Sequence, residues 1–83
     1  MTEEQKQALY ILNKNTILLN IATENHEAPD RSNGVCMEIW NAFKVFNPSY
    51  PMDWGCGACV IKMLQKANEV RKEYLKFYTF PKE

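Results

Sequence analysis

Apolar residues recur along this chain at the spacing of helix faces rather than in the strict alternation of strands. Near the start, Ala8, Ile11, Leu12, Leu18, Leu19 and Ala22 fall on one broad face when laid out at about 100° per residue. Tyr10, Ile17 and Ile21 form a second apolar stripe on the opposite side. Thr2 and Gln5 have the spacing of a capping box, and Glu3 and Glu4 suit the positive end of a helix. The pattern predicts a helix over 3–22. Asn13-Lys14-Asn15-Thr16 is a poor helix interior, which leaves a break there open. Residues 16–23 would also tolerate a strand, but no other segment offers it a partner. A helix apolar on two sides is either enclosed by the fold or shared with another subunit.

A polar connector over 24–33 carries His26 and Pro29, with Gly34 just beyond it. Asp30 or Ser32 is placed to cap a second helix, predicted over 33–46 and stopped by Asn47-Pro48. Val35, Cys36, Ile39, Trp40, Ala42, Phe43 and Phe46 share its inner face, and Glu38, Asn41 and Lys44 lie opposite as surface residues. A stiff aromatic loop with two prolines, Pro48 to Gly55, leads to a third helix predicted over 56–78. Its stripe is Val60, Met63, Leu64, Ala67, Val70, Tyr74 and Tyr78, backed by Lys62, Lys66, Glu69, Glu73 and Lys76. The expected architecture is all-α: a compact three-helix bundle forming a single domain over 1–83.

Length and charge narrow the functional classes. An 83-residue chain is too short for the barrels and doubly wound sheets that carry most large active sites. Ten Lys and Arg balance ten Asp and Glu, whereas proteins that hold nucleic acid without sequence preference carry a basic excess. The halves differ: residues 1–55 carry a net charge of −3 and residues 56–83 a net charge of +3. The basic third helix could lie on DNA, but Glu69 and Glu73 interleave its lysines as on an ordinary solvated face. No apolar run approaches the roughly 20 residues that span a bilayer, so no membrane partner is expected. Met1-Thr2-Glu3-Glu4-Gln5 is acidic where a signal peptide is basic, and three cysteines are an odd number for a disulfide framework. The expected location is the cytoplasm.

The one motif with chemistry in it is Cys56-Gly57-Ala58-Cys59. A C-x-x-C turn aims two sulfurs at one spot, and a helix N-terminus at Cys59 would stabilise a thiolate there. With Cys36 and His26 the pair makes a four-ligand set, H-x9-C-x19-C-x2-C, suited to a structural zinc. Against it stands a plainer reading, in which the cysteines are small buried hydrophobes; Cys36 sits where a core residue belongs. A redox reading comes third, because the chain lacks the βαβ pattern that carries thioredoxin-type pairs. On balance no stoichiometric zinc and no other cofactor is expected. No serine, threonine or carboxylate pair is placed for catalysis, so the chain is not expected to be an enzyme.

Tyr50, Trp54, Phe77, Tyr78 and Phe80 lie in a loop and a tail, where core packing alone does not require aromatics. Such residues anchor protein interfaces. With Tyr10, Ile17 and Ile21 they are the candidate partner-binding residues, and the two-sided first helix also suggests a homo-oligomer.

Over Gly34 to about Leu64, an aromatic helix with Trp40-Asn41-Ala42-Phe43 is followed by a proline-bearing loop. Cys56-Gly57-Ala58-Cys59-Val60 then opens a basic helix. This succession resembles small helical proteins of tailed bacteriophages, among them packaging accessories and host-directed inhibitors. The resemblance implies a viral, non-enzymatic binder, acting in an infected bacterial host, and carries a role over to no single residue. The leading functional expectation is therefore a helical protein that binds, and regulates or inhibits, another protein. The alternative is a small nucleic-acid-binding module, helix-turn-helix-like or zinc-stapled, in a packaging or regulatory role.

Overall fold

The computed structural model describes residues 1–28 and 34–80. Four helices follow one another: α1 (Glu3–Lys14), α2 (Thr16–Asn25), α3 (Val35–Phe46) and α4 (Gly57–Leu75). The all-α class is as expected, and no strand occurs among the described residues. The count is not: the predicted 3–22 helix is two helices. The capping box forms as read, with Thr2 Oγ1 accepting from Gln5 N at 3.1 Å and Gln5 Oε1 accepting from Thr2 N at 2.9 Å.

The break falls at Asn15, and local hydrogen bonds explain it. Asn15 Nδ2 donates back to the Ile11 carbonyl at 2.9 Å, and Thr16 Oγ1 donates to the Asn13 carbonyl. Asn15 N bonds Leu12 O at 3.2 Å, a tighter i to i−3 closure, and its backbone sits at φ −102°, ψ 24°. Short polar side chains competing for main-chain groups disfavour a continuous helix. The chain then restarts, Asn15 O accepting from Leu19 N at 3.0 Å, and runs to Asn25, where His26 stops it in the left-handed region at φ 55°.

α3 opens from Gly34, whose φ of 81° is a conformation that favours glycine. The proposed caps Asp30 and Ser32 lie outside the described residues. α4 is capped by Cys56 and ends at Leu75 rather than at residue 78. The Tyr74 carbonyl there accepts from both Phe77 N (3.1 Å) and Tyr78 N (3.0 Å), closing the helix in a turn.

α4 is the spine. It packs against α1, α2 and α3, and α1 packs in addition against α3. The core where they meet holds Leu12, Leu19, Ile39, Phe43, Met63 and Leu64, each essentially without solvent contact. Every such side chain contributes roughly 1.5–3 kcal/mol by leaving water. Leu9, which the faces drawn from the pattern leave out, is fully buried too, because α1 is covered by α3 and α4 together. The α3 and α4 stripes are otherwise those expected, with Phe46 and Tyr74 in ring contact at 4.7 Å across the interface. Among the described residues no helix is long and apolar enough to cross a membrane.

Candidate functional site

The break at Asn15 decides what α2 shows to solvent. α2 turns Leu19 and Ala22 into the core, where both are fully buried. Ile17 and Ile21, one turn apart and therefore neighbours on one side of the helix, stay outside, 78% and 39% exposed. Together with Leu18, Lys14, Asn15, Glu27 and Ala28 they line an open groove of about 420 Å³. Its floor is apolar and its charges stand apart, Lys14 on the last turn of α1 and Glu27 beyond the end of α2.

Lys14 is anchored from behind: its Nζ lies 2.7 Å from Glu38 Oε1 on α3. The hydrogen bond to Glu38, and then the Glu38 charge, hold the Lys14 ammonium above its ordinary range. No side chain of activated character lines the groove. What it can do is bury apolar side chains of a partner between two charges.

The other expected partner-binding residues fall into two groups. Tyr50 packs edge-on against Phe43 at 5.1 Å and lies 6.3 Å from Trp40; Tyr50 and Trp54 are half-buried against the core. Both residues pack on the core while keeping part of their surface in solvent. Tyr10, 53% exposed, meets Phe80 edge-on at 5.9 Å, and Phe80 meets Tyr78 at 5.1 Å. The tail thus folds back on α1, with Lys6 Nζ 6.0 Å from the centre of the Tyr78 ring. Tyr10 belongs to this cluster and not to one stripe with Ile17 and Ile21, since the helix between them is broken. Phe77, 82% exposed, projects outward.

The four candidate metal ligands are not gathered, and among the described residues no group of three or more His, Cys, Asp or Glu could hold a metal ion. His26 Nδ1 faces Gln65 Nε2 at 3.0 Å, and Cys36 is 1% exposed in the core. Cys56 and Cys59 are joined to each other as a disulfide, with Cα atoms 5.2 Å apart. The sulfur at the helix cap is that of Cys56, which accepts from Cys59 N at 3.1 Å, not that of Cys59 as the spacing had suggested.

Two polar residues escaped the sequence reading. Asn68 and Arg71 on α4 are buried, 1% and 8% exposed. Asn68 Nδ2 donates to Asn20 Oδ1 at 3.2 Å and Thr23 Oγ1 at 3.0 Å on α2. Beside them Gln65 Nε2 donates to the Ala22 carbonyl at 3.1 Å. Burial pushes the Arg71 guanidinium below its usual range. The signal available was position: Asn68 follows Leu64 by four residues and Arg71 follows Ala67 by four, on the inner face of α4. The chain matches no family model, no curated protein and no solved structure.

Proposed function

We propose that this chain is a non-enzymatic helical protein that acts by binding another protein through the Ile17–Ile21 face of α2. The observation that carries the reading is Ile17, a β-branched aliphatic residue 78% exposed beside a groove of about 420 Å³. Isoleucine on an exposed helix face contributes little to folding, and covering Ile17 would contribute roughly 1.5–3 kcal/mol, with Ile21 adding less because most of it is already out of water. An ordinary interface takes ~800 Å² per partner, about a seventh of the 5370 Å² of accessible surface. The first occupant to test is a second copy: two α2 helices meeting antiparallel would set Lys14 of each against Glu27 of the other. Regulation or inhibition of a target, with the protein encoded by a tailed phage, is what the resemblance over residues 34–64 adds to this reading.

The nucleic-acid alternative has less behind it. Lys66 pairs with Glu69 at 3.3 Å and Lys76 with Glu73 at 3.3 Å, while Arg71 is turned into the fold. With these three engaged, Lys62 and Lys72 are the cations of α4 outside such pairs, and so small a set neutralises few phosphates.

The test is a double substitution, Ile17→Glu with Ile21→Glu. In light scattering the unaltered chain is expected above the 9.7 kDa of one copy and the variant at it, with helical circular dichroism unchanged. Crosslinked partners recovered with the unaltered chain should likewise be lost. An unaltered chain that is monomeric at high concentration and whose partners survive the substitution would sink the reading.

A further inference from the structure

Cys56 and Cys59 have no part in the binding reading, yet they are the best-formed chemical group in the molecule. We propose that they form a thiol–disulfide exchange site at the amino end of α4, with Cys56 as the attacking sulfur and Cys59 as the resolving one.

The two sulfurs already bond to each other across the turn. The cap geometry separates their roles. Cys56 is the N-cap of a 19-residue helix, and its Sγ accepts the Cys59 amide at 3.1 Å. In the dithiol form that amide, together with the positive end of the helix, favours negative charge on Cys56 and holds it in place. Reduction therefore keeps the cap rather than removing it. The helix cap aims the pair without a sheet.

Both sulfurs belong to half-buried residues rather than to the sealed core, and beside Cys56 a side chain at Gly57 would meet nothing within 4 Å. On the other side Cys59 lines a cavity of about 310 Å³ with Tyr50, Met52 and Lys62. Asp53 also lines it, but its Oδ1 accepts Gly55 N at 2.9 Å and so is engaged within its own loop. Lys62, one turn after Cys59, faces this cavity as a cation. The external disulfide of the proposal is a small one, of the class of oxidised glutathione, with Lys62 beside the pair to meet one of its carboxylates. Cys36, buried in the core, is screened from any such reagent.

The exchange balances. The Cys56 thiolate attacks one sulfur of the external disulfide, whose S–S bond breaks and whose leaving thiolate takes a proton from water. Cys59 gives its proton to solvent and attacks Cys56 Sγ, expelling the second thiolate, which is also protonated. The dithiol loses two electrons and the external disulfide gains them.

The full chain, reduced and freed of reductant, is mixed with oxidised glutathione at pH 7 and followed by mass spectrometry. Unaltered protein should lose two hydrogens as the Cys56–Cys59 bond closes. Cys59→Ser should accumulate one glutathione, mapped to Cys56. Cys56→Ser, which keeps a hydroxyl cap on α4, should react at Cys59 at least ~10-fold more slowly. Equal rates in the two variants, or an unaltered dithiol that stays folded and unoxidised, would overturn the assignment. Should Cys59→Ser fail to fold, alkylation of the unaltered dithiol decides. Labelling of Cys56 that half-saturates well below pH ~8.5 supports the site, and an ordinary profile at or above that value overturns it.

Discussion

Arg71 Nε donates to Asn68 Oδ1 at 3.0 Å in the interface between α4 and α2, so that one buried amide serves both helices. Its nitrogen side is spent on Asn20 and Thr23 of α2, and its oxygen side on the guanidinium of its own helix. Among the described residues no buried side-chain nitrogen or oxygen is left without a partner. A polar group in such a place is tolerated because every one of its bonds is made, and removing it exposes the reverse.

Asn68→Ala would strand the buried Arg71 Nε–H and take one bond each from half-buried Asn20 and exposed Thr23, whose hydroxyl keeps its bond to the Leu19 carbonyl. A buried group so stranded costs about 1–3 kcal/mol, and groups that water reaches cost less. The expected loss is about 1–3 kcal/mol in urea unfolding followed by circular dichroism. A change below ~0.5 kcal/mol would show that the α2–α4 contact does not depend on this amide.

The Lys14–Glu38 pair ties α1 to α3 and should leave a mark on the alkaline side. The Lys14 value is raised in the folded state, so its contribution is complete below the ordinary lysine value of about 10.4. It falls away as pH rises through the raised value. Glu38→Gln removes the partner, and the expected difference is small because both side chains are partly in water. The gap between the unfolding midpoints of the two proteins should hold steady from about pH 7 to 10 and close above that. A gap that is unchanged at higher pH would assign the effect of Glu38 to something other than Lys14.

Metal content can be measured directly. Because His26 and Cys36 lie apart from the bonded Cys56–Cys59 pair, protein purified without added zinc is expected to contain well under one zinc per chain by elemental analysis. A chelator at neutral pH should leave the unfolding midpoint where it was. One zinc per chain, lost together with the fold on chelation, would restore the four-ligand set.

Binding to random-sequence duplex DNA at physiological salt should be weaker than ~10⁻⁴ M, since a chain without net charge, with Lys66 and Lys76 each paired to a glutamate, releases few counterions. Fluorescence anisotropy against salt concentration checks this. A tight interaction falling steeply with salt would bring the nucleic-acid reading forward.

Local chemistry was legible in the residues themselves. Thr2 and Gln5 announce the start of α1, Asn47-Pro48 the end of α3, and the apolar spacing of Val60, Met63, Leu64 and Ala67 the inner face of α4. Each of these depends on groups no more than a turn or two apart, whose geometry follows from the helix repeat. Asn15 lies at the edge of that range: its side chain can cap, bend or break a helix, and with Thr16 it bonds back to the α1 carbonyls and breaks it, after which Leu19 and Ala22 turn into the core. The break also left Ile17 and Ile21 in solvent.

What required the tertiary structure is every contact between residues far apart in the chain. Asn68 meets Asn20 across 48 positions, Tyr10 near the start of the chain meets Phe80 near its end, and Tyr50 closes over Phe43. A sequence pattern marks a face as apolar or a residue as polar, but it does not state which distant group will lie opposite. Burial of Asn68 is tolerated because α2 presents an amide and a hydroxyl at that place, and burial of Arg71 because Asn68 then has its oxygen free to accept from it. The path of the chain through space decides such pairings, since a hydrogen bond exists only where both of its partners arrive.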